Sequence, residues 1–199
     1  MRRLGAFGAL LFLALFFTAR ADASVSFTVL FDALVEDSNA VCLATPVEIK
    51  SVWEDGHIAT YTRVHVDRLF AGSAASEVWV KTMGGVVGHI GQQVDGEPVL
   101  RAGQQSVLFL TAYNGATVVT GRGQGQFPIV RDASNVLRVR KNQNAGALLA
   151  PRSTVLARIR SATTIANAST AAGDVLDGKT IDDAQAEIVS SWKRTHAGP

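Results

Sequence analysis

Two runs of alternating residues joined by a tight turn restrict the fold of this chain more than any other sequence feature. Residues 40–53, AVCLATPVEIKSVW, and residues 58–70, IATYTRVHVDRLF, both repeat with the period of two that strands require. Asp55-Gly56 between them is a strong hairpin signal. The first run predicts one face made of Val41, Leu43, Thr45, Val47 and Ile49. Pro46 has no N–H for a ladder, so it predicts an edge position or a bulge.

Further short strands are predicted after this hairpin, each separated from the next by turn residues. They cover residues 77–82, 105–112, 116–121, 126–130 and 135–140. The segment 105–112, QSVLFLTA, is almost continuously apolar, which predicts a central strand covered on both faces. Many short strands at close spacing predict a mainly β fold, either a small antiparallel barrel or a barrel-like sandwich.

Helical periodicity occurs only towards the two ends of the chain. Residues 27–38, FTVLFDALVEDS, predict a short amphipathic helix, and a second helix is predicted from Ser153 to about Ala166. Residues 180–194 predict a third helix, with Thr180 as its N-cap. We therefore expect a β-domain with an N-terminal helix over residues 24–144 and a helical C-terminal tail over residues 145–199.

The first residues of the chain have the features of a secretory signal peptide. Arg2 and Arg3 precede 14 uncharged, mostly apolar residues, and Ala21-Asp22-Ala23 matches the small-x-small cleavage pattern. A transmembrane anchor needs about 20 apolar residues, so the segment is short for one. We expect residues 1–23 to be removed before Ser24, and the mature chain to be exported, periplasmic or extracellular, with no integral membrane segment.

Signal removal changes the charge of the chain. It subtracts three of the 19 basic residues and one of the 17 acidic residues, which leaves 16 of each. A neutral chain lacks the general attraction to nucleic acid, so we expect no nucleic-acid partner. The charges are uneven, because residues 101–160 contain nine basic residues and one acidic residue. This asymmetry fits either partner binding or internal balancing by another face.

The chain contains a single cysteine, Cys42. An exported chain with one cysteine forms no internal disulfide, so packing must stabilise the fold. Cys42 lies between Val41 and Leu43 in a predicted strand, which predicts a buried, inert thiol.

A glycine-rich segment is the best candidate for a binding loop. Residues 82–98, TMGGVVGHIGQQVDGEP, match neither phosphate-binding glycine pattern and are not followed by a helix. Residues 121–127, GRGQGQF, fail the dinucleotide pattern because residue 126 is glutamine. We expect no cofactor, and an extended loop or irregular hairpin with His89 near its tip. The candidate binding residues of this loop are Gly84, Gly85, Gly88, His89 and Gly91.

The sequence contains no pattern that favours catalysis. No two histidines have the i, i+4 spacing of helix-borne metal ligands, and there is no G-x-S-x-G elbow. A metal-dependent hydrolase would require His57, His65 and His89 to converge, with Glu54 or Asp55 beside them. We expect no catalytic residues and no metal site.

Three segments resemble a family of secreted bacterial domains of unknown function. They are LVEDSNAVCLATPVEIKSVWEDGHIATYTRVHVDRLFAG, GGVVGHIGQQVDGEPVLRAGQQSVLFL and GQGQFPIV, and the resemblance covers about Leu34 to Arg140. The layout more distantly resembles netrin-like modules, the OB-type barrels that include tissue inhibitors of metalloproteinases. This resemblance implies an OB/netrin-like barrel. Those inhibitors depend on disulfides and an N-terminal cysteine, whereas this chain would begin at Ser24 and contains only Cys42, so their mechanism does not carry over.

Taken together, these features predict an exported, non-catalytic binding protein whose partner is another protein. Trp53, Tyr61 and Trp79 are contact candidates if they are exposed. The alternatives are an envelope-associated protease inhibitor and, less favoured by the residues, a metal-dependent hydrolase.

Overall fold

The computed structural model describes residues 25–149 and 170–197. The predicted signal peptide and the predicted helix 153–166 lie outside the described residues. The helices are α1 (Phe31–Glu36), α2 (Ala172–Leu176) and α3 (Ile181–Thr195), and a 3-10 helix spans Arg122–Gly125. The strands are β1 (Val25–Phe27), β2 (Ala40–Glu54), β3 (His57–Gly72), β4 (Glu77–Met83), β5 (Gly85–Val87), β6 (Ile90–Gln92), β7 (Ser106–Tyr113), β8 (Ala116–Val119), β9 (Gln126–Arg131), β10 (Leu137–Val139) and β11 (Ala147–Leu149).

Seven of these strands form one sheet in the order β10-β9-β7-β2-β3-β4-β8. Neighbouring strands are antiparallel except β4 and β8, which are parallel. Strand β8 also pairs with β7, so β2, β3, β4, β8 and β7 each have two partners within this set of five. The prediction of a mainly β chain with a C-terminal helix is confirmed.

The hairpin predicted at Asp55-Gly56 forms where the sequence placed it. Both residues have positive φ, 49° and 78°, and Glu54 pairs with His57 across the two-residue turn. Positive φ at both turn residues gives the backbone twist that matches two right-twisted strands, which is why Asp-Gly favours this turn.

The strands β2 and β7 separate two apolar clusters. Val41 and Leu43 of β2 lie with Val107 and Phe109 of β7 in a core that includes residues of all three helices. The alternate residues, Cys42 and Ala44 with Leu108 and Leu110, lie in a second cluster that contains Val64 and Val80. Strand β7 is therefore buried on both faces, as its continuous apolar sequence predicted.

A bulge at Val47 reverses the alternation of β2. Val64 is opposite Pro46, but its neighbour Arg63 is opposite Glu48, so β2 has one extra residue here. An extra residue in one strand exchanges the faces of all residues beyond it. Ile49 is consequently opposite Thr62, on the side of the second cluster, and the prediction that it shares a face with Val41 was wrong.

Backbone pairing at the N-terminus shortens the first predicted helix. The prediction began this helix at Phe27, but residues 25–27 form β1, parallel to β11, and α1 begins only at Phe31. Strand β11 itself lies at residues 147–149, where a helical tail was expected. The hydrogen bonds that β1 and β11 exchange outweigh the helical periodicity of these few residues.

The C-terminal helix α3 follows its prediction closely. Thr180 is its N-cap and accepts a hydrogen bond from the backbone N–H of Asp183 at 3.2 Å. Ala184 and Ile188 are buried in the same core as α1 and α2, so α3 packs against the strands. Within the described residues, no helix has both the length and the apolar character needed to cross a membrane.

Candidate functional site

An open groove of about 1750 Å³ lies beside the β2–β3 hairpin, and we call it the hairpin groove. Its walls are the second half of β2, the β5 and β6 hairpin, the segment 97–101, strand β9 and the segment 140–144. Four exposed aliphatic side chains line it, namely Ile49, Val86, Val99 and Val130. Exposed apolar side chains gathered in one concave surface are typical of a binding site.

The floor of the hairpin groove is rich in hydroxyl groups. Ser51 and Thr60 share a hydrogen bond of 2.8 Å, and Thr60 also donates to the carbonyl of Gly84 at 2.6 Å. The Thr62 hydroxyl is fully buried and has no hydrogen-bond partner among the described residues. Buried hydroxyls are normally paired. The unpaired Thr62 hydroxyl can therefore still donate or accept a hydrogen bond at the floor.

Two of the predicted glycines fix the β5–β6 hairpin onto this floor. Gly84 has a φ of 90° and donates its N–H to the carbonyl of Ile58 at 2.7 Å. A Cβ on Gly85 would lie 2.2 Å from the Thr60 hydroxyl and 2.5 Å from that of Ser51. Glycine is therefore required here for close approach as well as for positive φ.

The five predicted binding residues divide into two groups. Gly84, Gly85 and Gly91 line the hairpin groove. Gly88 and His89 form the exposed turn between Val87 and Ile90, and neither belongs to the groove lining. The segment is an irregular hairpin with His89 in its turn, as predicted, but the structure does not bring His89 together with the other candidates.

Two buried polar side chains hold the wall formed by residues 97–101. The Glu97 carboxylate accepts the N–H of Met83 at 2.9 Å and a second hydrogen bond from Arg122 Nε. The Gln126 amide accepts the N–H of Val99 and donates to its carbonyl, both at 2.8 Å. The Gln126 bonds satisfy the backbone of Val99, and the Glu97 bonds connect the segment to β4 and to the 3-10 helix, so the wall keeps a defined position.

Sequence reasoning missed most residues of the hairpin groove. Ile49 could have been found from Pro46, because a bulge beside the proline would turn it towards the groove. Gln126 lies in the GQGQF segment, whose glycines indicate close approach: Gly123 donates to the carbonyl of Gly96 at 2.7 Å. Val86 lies within the predicted binding loop 82–98 but was not among its candidate residues, and no local signal distinguishes Val130 from other exposed valines.

Most charged groups in the groove lining are already paired. Glu97 pairs with Arg122, Arg140 lies 3.5 Å from Asp177, and Lys141 pairs with Asp174. Arg101 is exposed, and no carboxylate of the described residues forms an ion pair with it. Arg101 therefore gives the lining an uncompensated positive charge.

The three predicted aromatic contact residues lie on different faces of the hairpin. Trp79 is 43% exposed and lies beside Arg63 on the outer face, with Tyr61 nearby on the same side. Trp53 is 51% exposed, but it lies on the same face of β2 as Ser51 and Ile49, which is the side of the hairpin groove. Both tryptophans thus meet the condition of exposure, but they do not form one surface.

An ion pair and a hydrogen bond organise the outer face around Glu54. Its carboxylate accepts from Lys81 Nζ and, at 2.9 Å, from the Tyr61 hydroxyl. The Lys81 ammonium also lies 5.6 Å from the centre of the Tyr61 ring. The hydrogen bond from Lys81, followed by that from Tyr61, lowers the pKa of Glu54, and the same bond to Glu54 raises the pKa of Lys81.

The histidines do not converge. Among the described residues, which include His57, His65, His89 and His196, no group of three or more His, Cys, Asp or Glu side chains could hold a metal ion. Cys42 is fully buried, and burial, with a smaller effect of Asp67, raises the pKa of its thiol to about 12. The thiol is thus buried as predicted.

Comparison of the chain with protein-family models, with curated proteins and with solved structures finds no match.

Proposed function

We propose that this chain is an exported, non-catalytic binding protein that holds another protein in the hairpin groove. The observation that carries the proposal is the grouping of Ile49, Val86, Val99 and Val130 in one concave surface above a floor of hydroxyl groups. A protein segment offers both apolar side chains and backbone hydrogen bonds, so it matches this combination. The basic start and apolar core of residues 1–23 support export.

We also propose that β2, β3, β4, β8 and β7 form a small OB-type barrel that supports the groove. The proposal is supported by the pairing of each of these five strands with two others of the set, since a barrel leaves no strand of its wall with a single partner. The cluster of Cys42, Ala44, Val64, Val80 and Leu108 would fill its interior. In such an arrangement the hydroxyl-lined floor of the groove lies at one end of the filled barrel.

Affinity capture with two matched variants tests the binding function. Val86 and Tyr113 are both 65% exposed, but only Val86 lines the groove. The wild-type chain, Val86→Asp and Tyr113→Asp are each immobilised and exposed to envelope extract and culture fluid of the source cells. We expect a protein that the wild-type chain and Tyr113→Asp retain and that Val86→Asp retains about tenfold less, as quantified by mass spectrometry.

Two results would contradict the proposal. One is the absence of any protein retained specifically by the wild-type chain. The other is equal retention by Val86→Asp and Tyr113→Asp, which would place the contact surface outside the groove. Thermal unfolding of the three proteins checks that each variant is folded.

A further inference from the structure

We infer that the partner binds through an extended segment that adds as a strand to the free edge of β2 and directs a carboxylate towards Arg101. The inference rests on the proposed function and specifies the partner's chemistry: an acidic peptide segment in strand conformation.

The edge of β2 that faces away from β3 becomes free halfway along the strand. Within β2, only Ala40–Ala44 pair with strand β7, and the carbonyl of Pro46 accepts the N–H of Gly103 at 2.9 Å. From residue 47 to residue 54, no strand of the described residues pairs with this edge. A strand edge of this kind presents unpaired N–H and C=O groups to another chain.

The turn geometry determines which backbone groups point outwards. In a two-residue hairpin the residues next to the turn exchange hydrogen bonds, and bonded and non-bonded pairs then alternate. Glu54, Val52 and Lys50 therefore bond to β3. Trp53, Ser51 and Ile49 direct their N–H and C=O groups away from β3.

The hydrogen bonds of Ile58 agree with this assignment. Ile58 is opposite Trp53 and forms part of the same non-bonded pair. Its N–H donates to Gln92 Oε1 and its carbonyl accepts from Gly84, both at 2.7 Å, so both groups point away from β2.

The free edge borders the hairpin groove because of the bulge at Val47. The bulge turns the side chains of Ile49 and Ser51 to the groove, where both belong to the lining. A partner strand beside them could pair with the three outward residues and place alternate side chains against Ile49, Val86 and Val130. Main-chain bonds then supply affinity, and the aliphatic lining supplies selectivity.

The charge of the groove indicates the acidic character of the segment. Arg101 is the lining cation that no carboxylate of the described residues neutralises, whereas Arg140 and Lys141 lie beside Asp177 and Asp174. A carboxylate of the partner would pair with Arg101 without breaking an existing ion pair.

Selection from a phage-displayed library of random linear dodecapeptides, with the purified chain as target, supplies the ligands for the test. Enriched peptides are synthesised, and their affinities are measured by fluorescence anisotropy for the wild-type chain, Ile49→Pro, Ile49→Ala and Arg101→Gln. Proline at position 49 removes an outward N–H while the β2–β3 ladder is kept. Alanine removes the side chain and keeps the N–H.

We expect the enriched peptides to contain β-branched or aromatic residues and an Asp or Glu. Ile49→Pro should weaken their binding by about tenfold more than Ile49→Ala does, because it blocks the edge. Arg101→Gln should weaken binding several-fold, and this loss should shrink as salt is raised. The peptide nitrogens form two alternating sets. N-methylation of one set should abolish binding, and N-methylation of the other set should spare it.

Several results would overturn the inference: no enrichment, equal affinities for Ile49→Pro and Ile49→Ala, or insensitivity to N-methylation in either register. If Ile49→Pro does not fold, as judged by circular dichroism, the N-methylated peptides decide. Concentration-dependent self-association lost in Ile49→Pro would mean that a second copy occupies the edge. The affinity capture is repeated with Ile49→Pro. A protein that Val86→Asp retains less than the wild-type chain does, but that Ile49→Pro retains equally, would support the proposed function and contradict strand addition.

Discussion

Two glutamine side chains act in place of neighbouring strands. Gln124 accepts the N–H of Val29 at 2.8 Å and donates to the carbonyl of Phe27 at 2.9 Å. Gln126 makes the same pair of bonds to Val99. A side-chain amide carries a donor and an acceptor as a peptide group does, so it can satisfy both groups of an irregular segment. Gln124 attaches the N-terminal segment to the 3-10 helix, and Gln126 attaches the groove wall to the sheet.

Cys42 should be unreactive in the folded chain. Thiolate is the reactive form, and burial raises the pKa of this thiol to about 12. We expect no reaction of the native chain with an aromatic disulfide reagent near pH ~8, and reaction of one thiol per chain in denaturant. Tyr113→Cys adds an exposed thiol as a positive control, and equally fast reaction of Cys42 in the native wild-type chain would contradict the prediction.

The same shift predicts the direction of an alkaline effect on stability. The thiol pKa is 9.0 in the reference state and about 12 in the folded chain, so folding favours the protonated thiol. Stability from this group is therefore fully present below pH 9.0 and is lost progressively as the pH rises towards about 12. A Cys42→Ala variant lacks this contribution to the pH dependence.

At the scale of elements, the β5–β6 hairpin depends on the absence of a side chain at Gly85. A Cβ there would collide with the hydroxyls of Ser51 and Thr60, and the φ of 131° is unfavourable for any other residue. Gly88 has a φ of 61° in the same hairpin, and a Cβ there would have no atom within 4 Å. Gly85 is thus restricted both by close approach and by backbone conformation, whereas Gly88 is restricted by backbone conformation alone.

We expect Gly85→Ala to lower the free energy of unfolding by roughly 2–4 kcal/mol, from backbone strain and overpacking together. Gly88→Ala, which has only the backbone term, should lower it by about 1 kcal/mol. Urea unfolding followed by tryptophan fluorescence measures both. Equal effects of the two substitutions would mean that the hairpin is not held against the floor as described.

The bulge in β2 marks the limit of what could be predicted for this element. The alternation of residues 40–53 and the Asp55-Gly56 turn predicted the hairpin correctly, because strand period and turn chemistry are local properties. Pro46 indicated a bulge or an edge, and both occur there. The reversal of faces beyond Val47 depends on how β2 is aligned with β3, and the sequence of β2 alone does not specify that alignment.

At the scale of the whole molecule, a buried carboxylate connects the two ends of the described chain. Asp32 of α1 accepts hydrogen bonds from Ser191 Oγ and, at 2.8 Å, from Arg194, both in α3. Ser191 is fully buried and Asp32 nearly so. The contact joins residues about 160 positions apart, so it stabilises the tertiary arrangement of the helices rather than either helix alone.

Asp32→Ala should therefore lower the free energy of unfolding by roughly 1–3 kcal/mol, because it removes the acceptor of the buried Ser191 hydroxyl and of Arg194 Nη2. Asp182→Ala is the control: its side chain is 85% exposed and pairs with Arg68 on the surface. A surface pair of this kind contributes about 0–1 kcal/mol. Chemical unfolding of both variants measures the difference, and an equal loss in the two would argue against a buried connection between α1 and α3.

The local features could be predicted from the amino-acid sequence: the mainly β class, the hairpin at Asp55-Gly56, the doubly buried strand β7 and the capped helix at Thr180. Each depends on periodicity or turn chemistry within a few residues. Which side chains share the hairpin groove could not be predicted in this way, because the grouping depends on the bulge, on strand register and on bonds between distant residues. Ile49, Val130 and Arg101 are ordinary in the sequence, and packing alone brings them together.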